Sequence, residues 1–221
     1  KVELAEAKPL YLPDSFRLLS IGSSQIAKSI RSYVKGRGFS IEELCKYGVG
    51  YATKEPFFGY LIIPFYYHGQ LRYYNARKVI GNGPRYNNPN KDITGLGKEF
   101  IIFNYDALEM YRSVFICEGA LNALTLGDRG IATMGKAISA YQVNELLKSS
   151  CQRYIILLDP DAKRYAVNLA LKLVAYKKVK VVFLPDGKDV NDLGRKQTLK
   201  LVYQTRYQSY QELIAIKNSL E

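Results

Sequence analysis

The sequence has little histidine and cysteine. His68 is the single histidine among 221 residues, and Cys45, Cys117 and Cys151 lie far apart with no Cys-x-x-Cys pair. We therefore expect no structural zinc site in this chain. Catalysis by a Ser-His-Asp or Cys-His set would have to use His68, which lies in a predicted turn between two strands. Scattered cysteines are typical of a reducing compartment.

Long apolar runs are also missing. No stretch approaches the roughly 18 apolar residues that a membrane-spanning helix needs, and the first twenty residues show no signal-peptide pattern. We therefore expect no membrane partner. The chain opens on Lys1 rather than Met, which is consistent with a fragment of a longer protein.

Acidic residues are the minority. The chain has 20 Asp and Glu against 32 Lys and Arg, which gives a net charge of +12. A protein this basic attracts polyanions, and nucleic acid is the usual one. The basic excess lies mainly in residues 1–110 and 148–207. Acidic residues that are few and yet clustered in so basic a protein are informative.

The distribution of apolar residues predicts an α/β fold. Before residue 110, segments 59–66 and 71–80 predict an antiparallel hairpin, followed by a Gly/Asn/Pro-rich loop over 81–98. After residue 110, strands alternate with helices through short turns, which predicts βαβ units and a parallel sheet. The predicted strands are 113–117, 130–133, 154–158 and 179–184. We expect a basic α+β subdomain (1–110), a parallel-sheet domain (111–190) and a C-terminal helical segment (191–221).

Acidic residues follow three of these strands. Glu118 follows the first strand, Asp159 and Asp161 follow the third, and Asp186 and Asp189 follow the fourth. Ligands of open α/β sheets bind beyond the carboxyl ends of the strands, where these residues would meet. Carboxylates in one place repel each other unless a cation lies among them, and such oxygen ligands suit Mg²⁺ or Mn²⁺. The pattern predicts a divalent-metal site for phosphoryl-transfer chemistry.

Other interpretations of the same acidic residues stay open. Asp161 and Asp189 are each placed to be a helix N-cap, and Asp186 suits a Pro185-Asp186-Gly187 turn better than a metal site. The Gly-rich loop of P-loop NTPases is absent.

Three motifs in the second half resemble the Toprim domain. They are Glu118-Gly119 after a strand, Asp159-Pro160-Asp161 about 40 residues later, and the string LPDGKDVNDL over 184–193. DnaG-type primases, topoisomerases and some nucleases share this domain.

The first half narrows the resemblance to the catalytic core of DnaG-type primases. Segments 33–40, 47–51, 60–65, 75–77 and 83–89 are similar, in this order, to primase motifs, and Gly97-Lys98 matches a later basic position. Two residues depart from the primase pattern: Asn122 and Asn191 stand where Asp is usual. Pro160 also replaces a common Gly. The departures resemble phage primases, and they imply weaker metal binding or one metal fewer.

The resemblance implies a DNA primase that makes short RNA primers on single-stranded DNA from NTPs. Glu118, Asp159 and Asp161 would be catalytic and, with Asp189, would hold Mg²⁺ or Mn²⁺. The implied nucleotide or nucleic-acid contacts are Arg77, Arg85, Lys98 and Lys163, with bases stacked on Tyr73, Tyr74 or Tyr86. A replicative helicase and a zinc-binding module outside this fragment would be partners, in the cytoplasm of a bacterium or a phage-infected host. The alternatives are a Toprim nuclease, and a degenerate primase core that only binds nucleic acid.

Overall fold

The structure is a computed structural model that describes residues 9–95 and 97–220. The chain forms two compact units, with the division between Gly97 and Lys98. The domain boundaries expected after residues 110 and 190 stay predictions. No helix in the described ranges is long and apolar enough to cross a membrane.

The first unit contains a four-stranded antiparallel sheet in the order β1-β2-β3-β4. Its elements are β1 (Phe16–Leu18), α1 (Gln25–Gly36), α2 (Ile41–Lys46), β2 (Gly50–Ala52), β3 (Tyr60–Tyr67), β4 (Gln70–Lys78) and α3 (Lys91–Thr94). The helices begin where side chains cap them: Ser24 accepts from the Ala27 amide before α1, and Ser40 accepts from the Glu43 amide before α2.

The predicted hairpin is present as β3 and β4. Their pairing runs from Tyr60 opposite Lys78 to Tyr67 opposite Gln70. The turn residues His68 and Gly69 both have positive φ, 49° and 77°, as a two-residue hairpin turn requires. The loop expected over 81–98 contains regular structure: Tyr86 bridges to Arg77, and Asn90 caps α3.

The second unit contains a four-stranded parallel sheet in the order β6-β5-β7-β8, which confirms the predicted fold class. Its elements are α4 (Ala107–Met110), β5 (Ser113–Cys117), α5 (Ala120–Thr125), β6 (Gly130–Ala132), α6 (Ala140–Lys148), β7 (Arg153–Leu157), α7 (Lys163–Leu173), β8 (Lys178–Val181), α8 (Val190–Gln204) and α9 (Tyr210–Ser219). The helices expected at the C-terminus are α8 and α9.

Alternation along the strands gives this sheet two different faces. Val114, Ile116, Tyr154 and Ile156 pack in one buried cluster with apolar residues of α6, α7 and α9. On the other face, α5 and α8 pack against each other. The carboxyl ends of β5 and β7 are level, because Cys117 pairs with Leu157. Residues that follow these two strands therefore start from the same edge of the sheet.

Candidate functional site

Four carboxylates follow the carboxyl ends of the strands in the second unit, and we call them the acidic rim: Glu118, Asp159, Asp161 and Asp189. Glu118 directly follows β5, and Asp159 lies just beyond β7. Asp161 lies in a 3-10 turn over Pro160–Ala162. Asp189 immediately precedes α8. The topology thus places them as the sequence predicted, and the charges of neighbouring carboxylates help to raise the pKa values of Asp159 and Glu118.

Asp159 is the most perturbed acid of the rim. Burial, followed by the charges of Asp189, Asp161 and Asp192, raises its pKa from 3.8 to about 6. A hydrogen bond of 3.1 Å from Asn122 Nδ2 to Asp159 Oδ1 acts in the opposite direction and lowers this pKa. Ionisation of Asp159 is therefore less favourable here than in water, and a cation in the rim would offset that cost.

Glu118 is half-buried and faces charges of both signs. Burial and the nearby Asp159 and Asp161 raise its pKa, whereas Lys136 and Lys98 act in the opposite direction. The two lysines thus lie close enough to Glu118 to compensate part of the negative charge of the rim.

Lys136 is a residue of the site that was not predicted from the sequence. Its Nζ lies 2.8 Å from Asp161 Oδ2, and this hydrogen bond lowers the pKa of Asp161. Lys136 follows β6 through Met134 and Gly135, which have positive φ angles of 60° and 153°. Positive φ is uncommon for a residue such as Met134, and it turns the chain so that Lys136 reaches the rim. The one signal in the sequence was Gly135-Lys136 shortly after a predicted strand.

A cavity of about 290 Å³ adjoins the rim. Lys98, Glu99, Glu118 and Lys136 line it, together with the loop from Thr133 to Ala137. The Thr133 hydroxyl donates to the Gly135 carbonyl oxygen at 3.0 Å, which stabilises the turn of this loop. The lining thus carries two ammonium groups and two carboxylates, and the ammonium groups of Lys98 and Lys136 suit phosphate oxygens that share a cation with the rim.

Asp189 and Asp186 each bond to another group of the protein, and these contacts do not involve a metal ion. Asp189 is the N-cap of α8: its Oδ1 accepts from the Asp192 amide at 2.8 Å, and Asp192 accepts from the Asp189 amide in return. Asp186 pairs with Lys163 at 2.9 Å. Asp161 does not act as a helix N-cap, because it lies within the 3-10 turn that Asp159 precedes and Ala162 occupies the cap position of α7.

The two asparagines that depart from the primase pattern are buried and hydrogen-bonded. Asn122 Oδ1 accepts from the backbone amide of Asn191 at 3.2 Å, and Asn191 Nδ2 donates to Thr125 Oγ1 at 2.9 Å. These bonds join α5 to the first turn of α8 beside Asp159.

The rim has the donor chemistry of a Mg²⁺ or Mn²⁺ site, since all its groups are carboxylates that destabilise one another. Within residues 9–95 and 97–220, however, no three Asp, Glu, Cys or His side chains lie close enough together to enclose a metal ion. Asp161 instead bonds to Lys136, and Asp189 bonds to the start of α8. The rim thus fits the ion by charge and ligand type. The side chains of Asp161 and Asp189 would have to rotate toward the ion to bind it.

The first unit carries a separate basic and aromatic cluster. Arg77 Nη1 donates to the Tyr86 hydroxyl at 2.7 Å. The guanidinium carbons of Arg77 and Arg85 lie 5.5 and 5.6 Å from the centre of the Tyr86 ring. Tyr86 is 43% exposed, so its ring is accessible to a base, and the two guanidinium groups beside it are accessible to phosphates.

The expectation that Tyr73 or Tyr74 stacks on bases is wrong. Both side chains are buried. Tyr73 packs against Phe65 with ring centres 5.5 Å apart, and Tyr74 packs against Phe57 at 5.7 Å. Both faces of β4 are covered at this point, so neither ring is available to a ligand.

Comparison with known proteins identifies the second unit. The Toprim-like family matches residues 115–194. This segment is a Toprim-like domain. A DNA primase of Clostridium acetobutylicum is 26% identical over 184 residues, which cover 76% of this chain and 30% of the primase. The E. coli primase catalytic core matches with a TM-score of 0.70 and 20% identity, covering 89% of this chain and 78% of that core.

A DnaG primase catalytic domain bound to single-stranded DNA also has this fold. It matches with a TM-score of 0.70 and 22% identity, covering 89% of this chain and 76% of that domain. The resemblance to DnaG-type catalytic cores, predicted from the order of the motifs, is therefore confirmed. This chain spans about 30% of the length of the curated primases that it matches.

Proposed function

We propose that this chain is the RNA-polymerising core of a DNA primase, which joins NTPs into short primers on single-stranded DNA by metal-dependent nucleotidyl transfer. The observation that carries the proposal is the acidic rim beside a cavity lined by Lys98 and Lys136. Primer synthesis needs these two features together, because the reaction requires a cation and a site for the triphosphate. The DnaG-type fold supports the same assignment.

Glu118, Asp159 and Asp161 would hold Mg²⁺ or Mn²⁺, with Asp189 as a further ligand. A bound divalent ion lowers the pKa of the attacking 3′-hydroxyl and neutralises charge that develops at the α-phosphate. The chain itself supplies positioning: Lys98 and Lys136 bind the oxygens of the incoming triphosphate, and they hold it beside Glu118.

The template contacts in this proposal belong to Arg77 and Arg85, whose planar guanidinium groups suit phosphate oxygens. Tyr86 offers an exposed ring for stacking between them. Lys163, whose ammonium pairs with Asp186, is a further candidate for the nucleic-acid backbone. A replicative helicase and a zinc-binding template-recognition module are the proposed partners, in the cytoplasm of a bacterium or a phage-infected host.

A primer-synthesis assay tests the proposal. The chain is incubated with single-stranded template, NTPs and Mg²⁺ or Mn²⁺, with an initiating dinucleotide or a supplied zinc module, and short oligoribonucleotides are the expected product. Glu118→Gln and Asp159→Asn should each abolish synthesis and leave DNA binding intact. Absence of product with both metals and with both supplements would contradict primase activity, and DNA cleavage without NTPs would favour a Toprim nuclease.

A second candidate function is a degenerate primase core that binds nucleic acid without polymerising. The bonds of Asn122 and Asn191 favour it, because both side chains are neutral where the primase pattern has Asp. Calorimetric titration with Mn²⁺ separates the two candidates. Binding that Asp159→Asn eliminates favours the active core, whereas the absence of such binding favours the degenerate one.

A further inference from the structure

A second cavity lies at the opposite end of the parallel sheet from the acidic rim. It has a volume of about 620 Å³, and its lining includes Ser113 and Arg153, the first residues of β5 and β7. The rim follows the last residues of the same strands, and a five-residue strand spans roughly 15 Å. This cavity, which we call the basic pocket, is therefore separate from the site described above.

The basic pocket lies on the sheet face that α8 covers only in part. Phe115 and Ile155 form its apolar floor, and they are adjacent because they pair in register. Leu199 and Tyr203 from α8, with Tyr207 beyond it, line the side. Tyr203 is 83% exposed and Tyr207 is 39% exposed, so both rings are accessible.

The charges around the basic pocket are almost all positive. Five of the lining residues are cationic and one is acidic; they are Arg112, Arg129, Arg153, Lys180 and Arg195, with Asp128. Arg153 and Arg195 are exposed. Arg129 already has partners, since it donates to the Ser113 carbonyl oxygen at 2.9 Å and its guanidinium lies 5.0 Å from the Phe115 ring centre.

Lys180 is the unusual member of this set. Its side chain is buried, and its Nζ donates to the Val202 carbonyl oxygen at 2.9 Å while it lies 4.8 Å from the Tyr207 ring centre. No described carboxylate forms an ion pair with it, and burial lowers its pKa. A buried ammonium without a counter-charge is costly unless an anion compensates it. An anion in the pocket would supply that charge.

We propose that the basic pocket binds one nucleotide unit, with its phosphate on Lys180, Arg153 and Arg195 and its base on Tyr203 or Tyr207. The volume lies within the range of 300–1,000 Å³ that is typical of small-ligand sites. Arginine and lysine are the usual phosphate ligands, and aromatic rings stack on bases of any sequence. A free nucleotide and a nucleotide within a single strand present the same phosphate and base to these residues. This proposal does not depend on the acidic rim.

The test uses the full chain and two probes, AMP and a fluorescein-labelled single-stranded oligothymidylate. The variant Arg153→Glu/Arg195→Glu reverses two charges of the pocket. Lys148→Glu/Lys172→Glu is the matched control, because it changes the net charge equally at exposed positions on α6 and α7. We expect the pocket variant to weaken binding of at least one probe about tenfold more than the control does, as expected for the loss of two phosphate contacts.

A third variant, Lys180→Met, removes the ammonium and keeps the buried apolar stem. It should weaken the same probe without lowering the melting temperature, since no charge is then buried. Loss of AMP binding identifies a single nucleotide as sufficient, and loss confined to the oligothymidylate identifies a strand as the source. Equal losses in the pocket and control variants for both probes, or no loss in the pocket variant, would overturn the proposal.

Discussion

Asn122 donates to Asp159 Oδ1 at 3.1 Å through its amide nitrogen, while its amide oxygen accepts from the backbone amide of Asn191 at 3.2 Å. One neutral side chain thus ties the start of α8 to the most perturbed acid of the rim. An ionised aspartate has no hydrogen to donate. The asparagine therefore stabilises the charge of Asp159 where the usual residue of the primase pattern would repel it.

Asn122→Asp should lower stability in the absence of metal ions. The variant loses a hydrogen bond to a charged group and gains a buried carboxylate beside Asp159, which together cost about 2–3 kcal/mol at pH 8. We expect the melting temperature to fall by roughly 5–10 °C in EDTA, and Mn²⁺ to restore most of it. The control is Asn168→Asp, an exposed position on α7. A variant that melts at or above the wild-type temperature in EDTA would contradict this reading of Asn122.

Asp159→Asn should stabilise the metal-free protein above pH 6 and have little effect near pH 4. The pKa of Asp159 is raised from 3.8 to about 6 in the folded state. Between pH 3.8 and 6, the Asp159 carboxyl is therefore ionised in the unfolded chain and protonated in the folded chain. Folding stability contributed by this group therefore falls as pH rises from 4 to 6 and is then constant. Because Asp159 is only half-buried, solvent screening limits the effect to about 1–2 kcal/mol.

Chemical denaturation in EDTA at several pH values measures this difference. The stability curves of wild type and Asp159→Asn should converge at pH 4 and separate by pH 7. Parallel curves across this range would show that Asp159 has an ordinary pKa. With Mn²⁺ present, the wild type should no longer be less stable than Asp159→Asn, because the ion compensates the negative charge of Asp159.

Much of this architecture follows from local sequence signals. The four strands of the parallel sheet were predicted to within a few residues at each end, because each is a short apolar run bounded by turn residues. The acidic rim could be predicted because carboxyl ends of parallel strands share one edge. Both inferences need only the chain order of the elements.

Features that depend on particular dihedral angles or on cross-element packing could not be predicted. Lys136 reaches Asp161 only because Met134 and Gly135 adopt positive φ. The expectation of base stacking on Tyr73 or Tyr74 assumed that one of these two neighbouring side chains is accessible, since side chains alternate along a strand. The structure covers both faces of β4 there, and nothing in the strand itself indicates that.

Lys136→Met should increase the affinity of the rim for Mn²⁺. Lys136 competes with a metal ion for Asp161, and exposed ion pairs of this kind contribute about 0.2–1 kcal/mol. We therefore expect a decrease of roughly two- to fivefold in the dissociation constant, measured by calorimetry. Lys163→Met is the matched control, because it breaks the similar pair with Asp186 outside the rim. Weaker Mn²⁺ binding in Lys136→Met would instead mean that Lys136 helps to order the metal ligands.

Two glycines beside α5 should respond differently to replacement by alanine. A Cβ on Gly130 would lie 2.0 Å from the Ala123 carbonyl oxygen, so β6 and α5 would have to separate. Such overpacking of backbone costs about 3 kcal/mol, and the melting temperature should fall by roughly 6–12 °C. A Cβ on Gly119 meets no atom within 4 Å, and its φ of −117° suits any residue.

Gly119→Ala should therefore melt within about 1–2 °C of the wild type, because surface changes usually alter stability by less than about 0.5 kcal/mol. The open space beside Gly119 also adjoins Glu118, where a substrate has to approach. If Gly119 serves that approach, Gly119→Ala should keep its stability and its Mn²⁺ affinity but raise the KM for NTPs in primer synthesis. Unchanged kinetics in a stable Gly119→Ala protein would show that the approach to Glu118 does not require glycine.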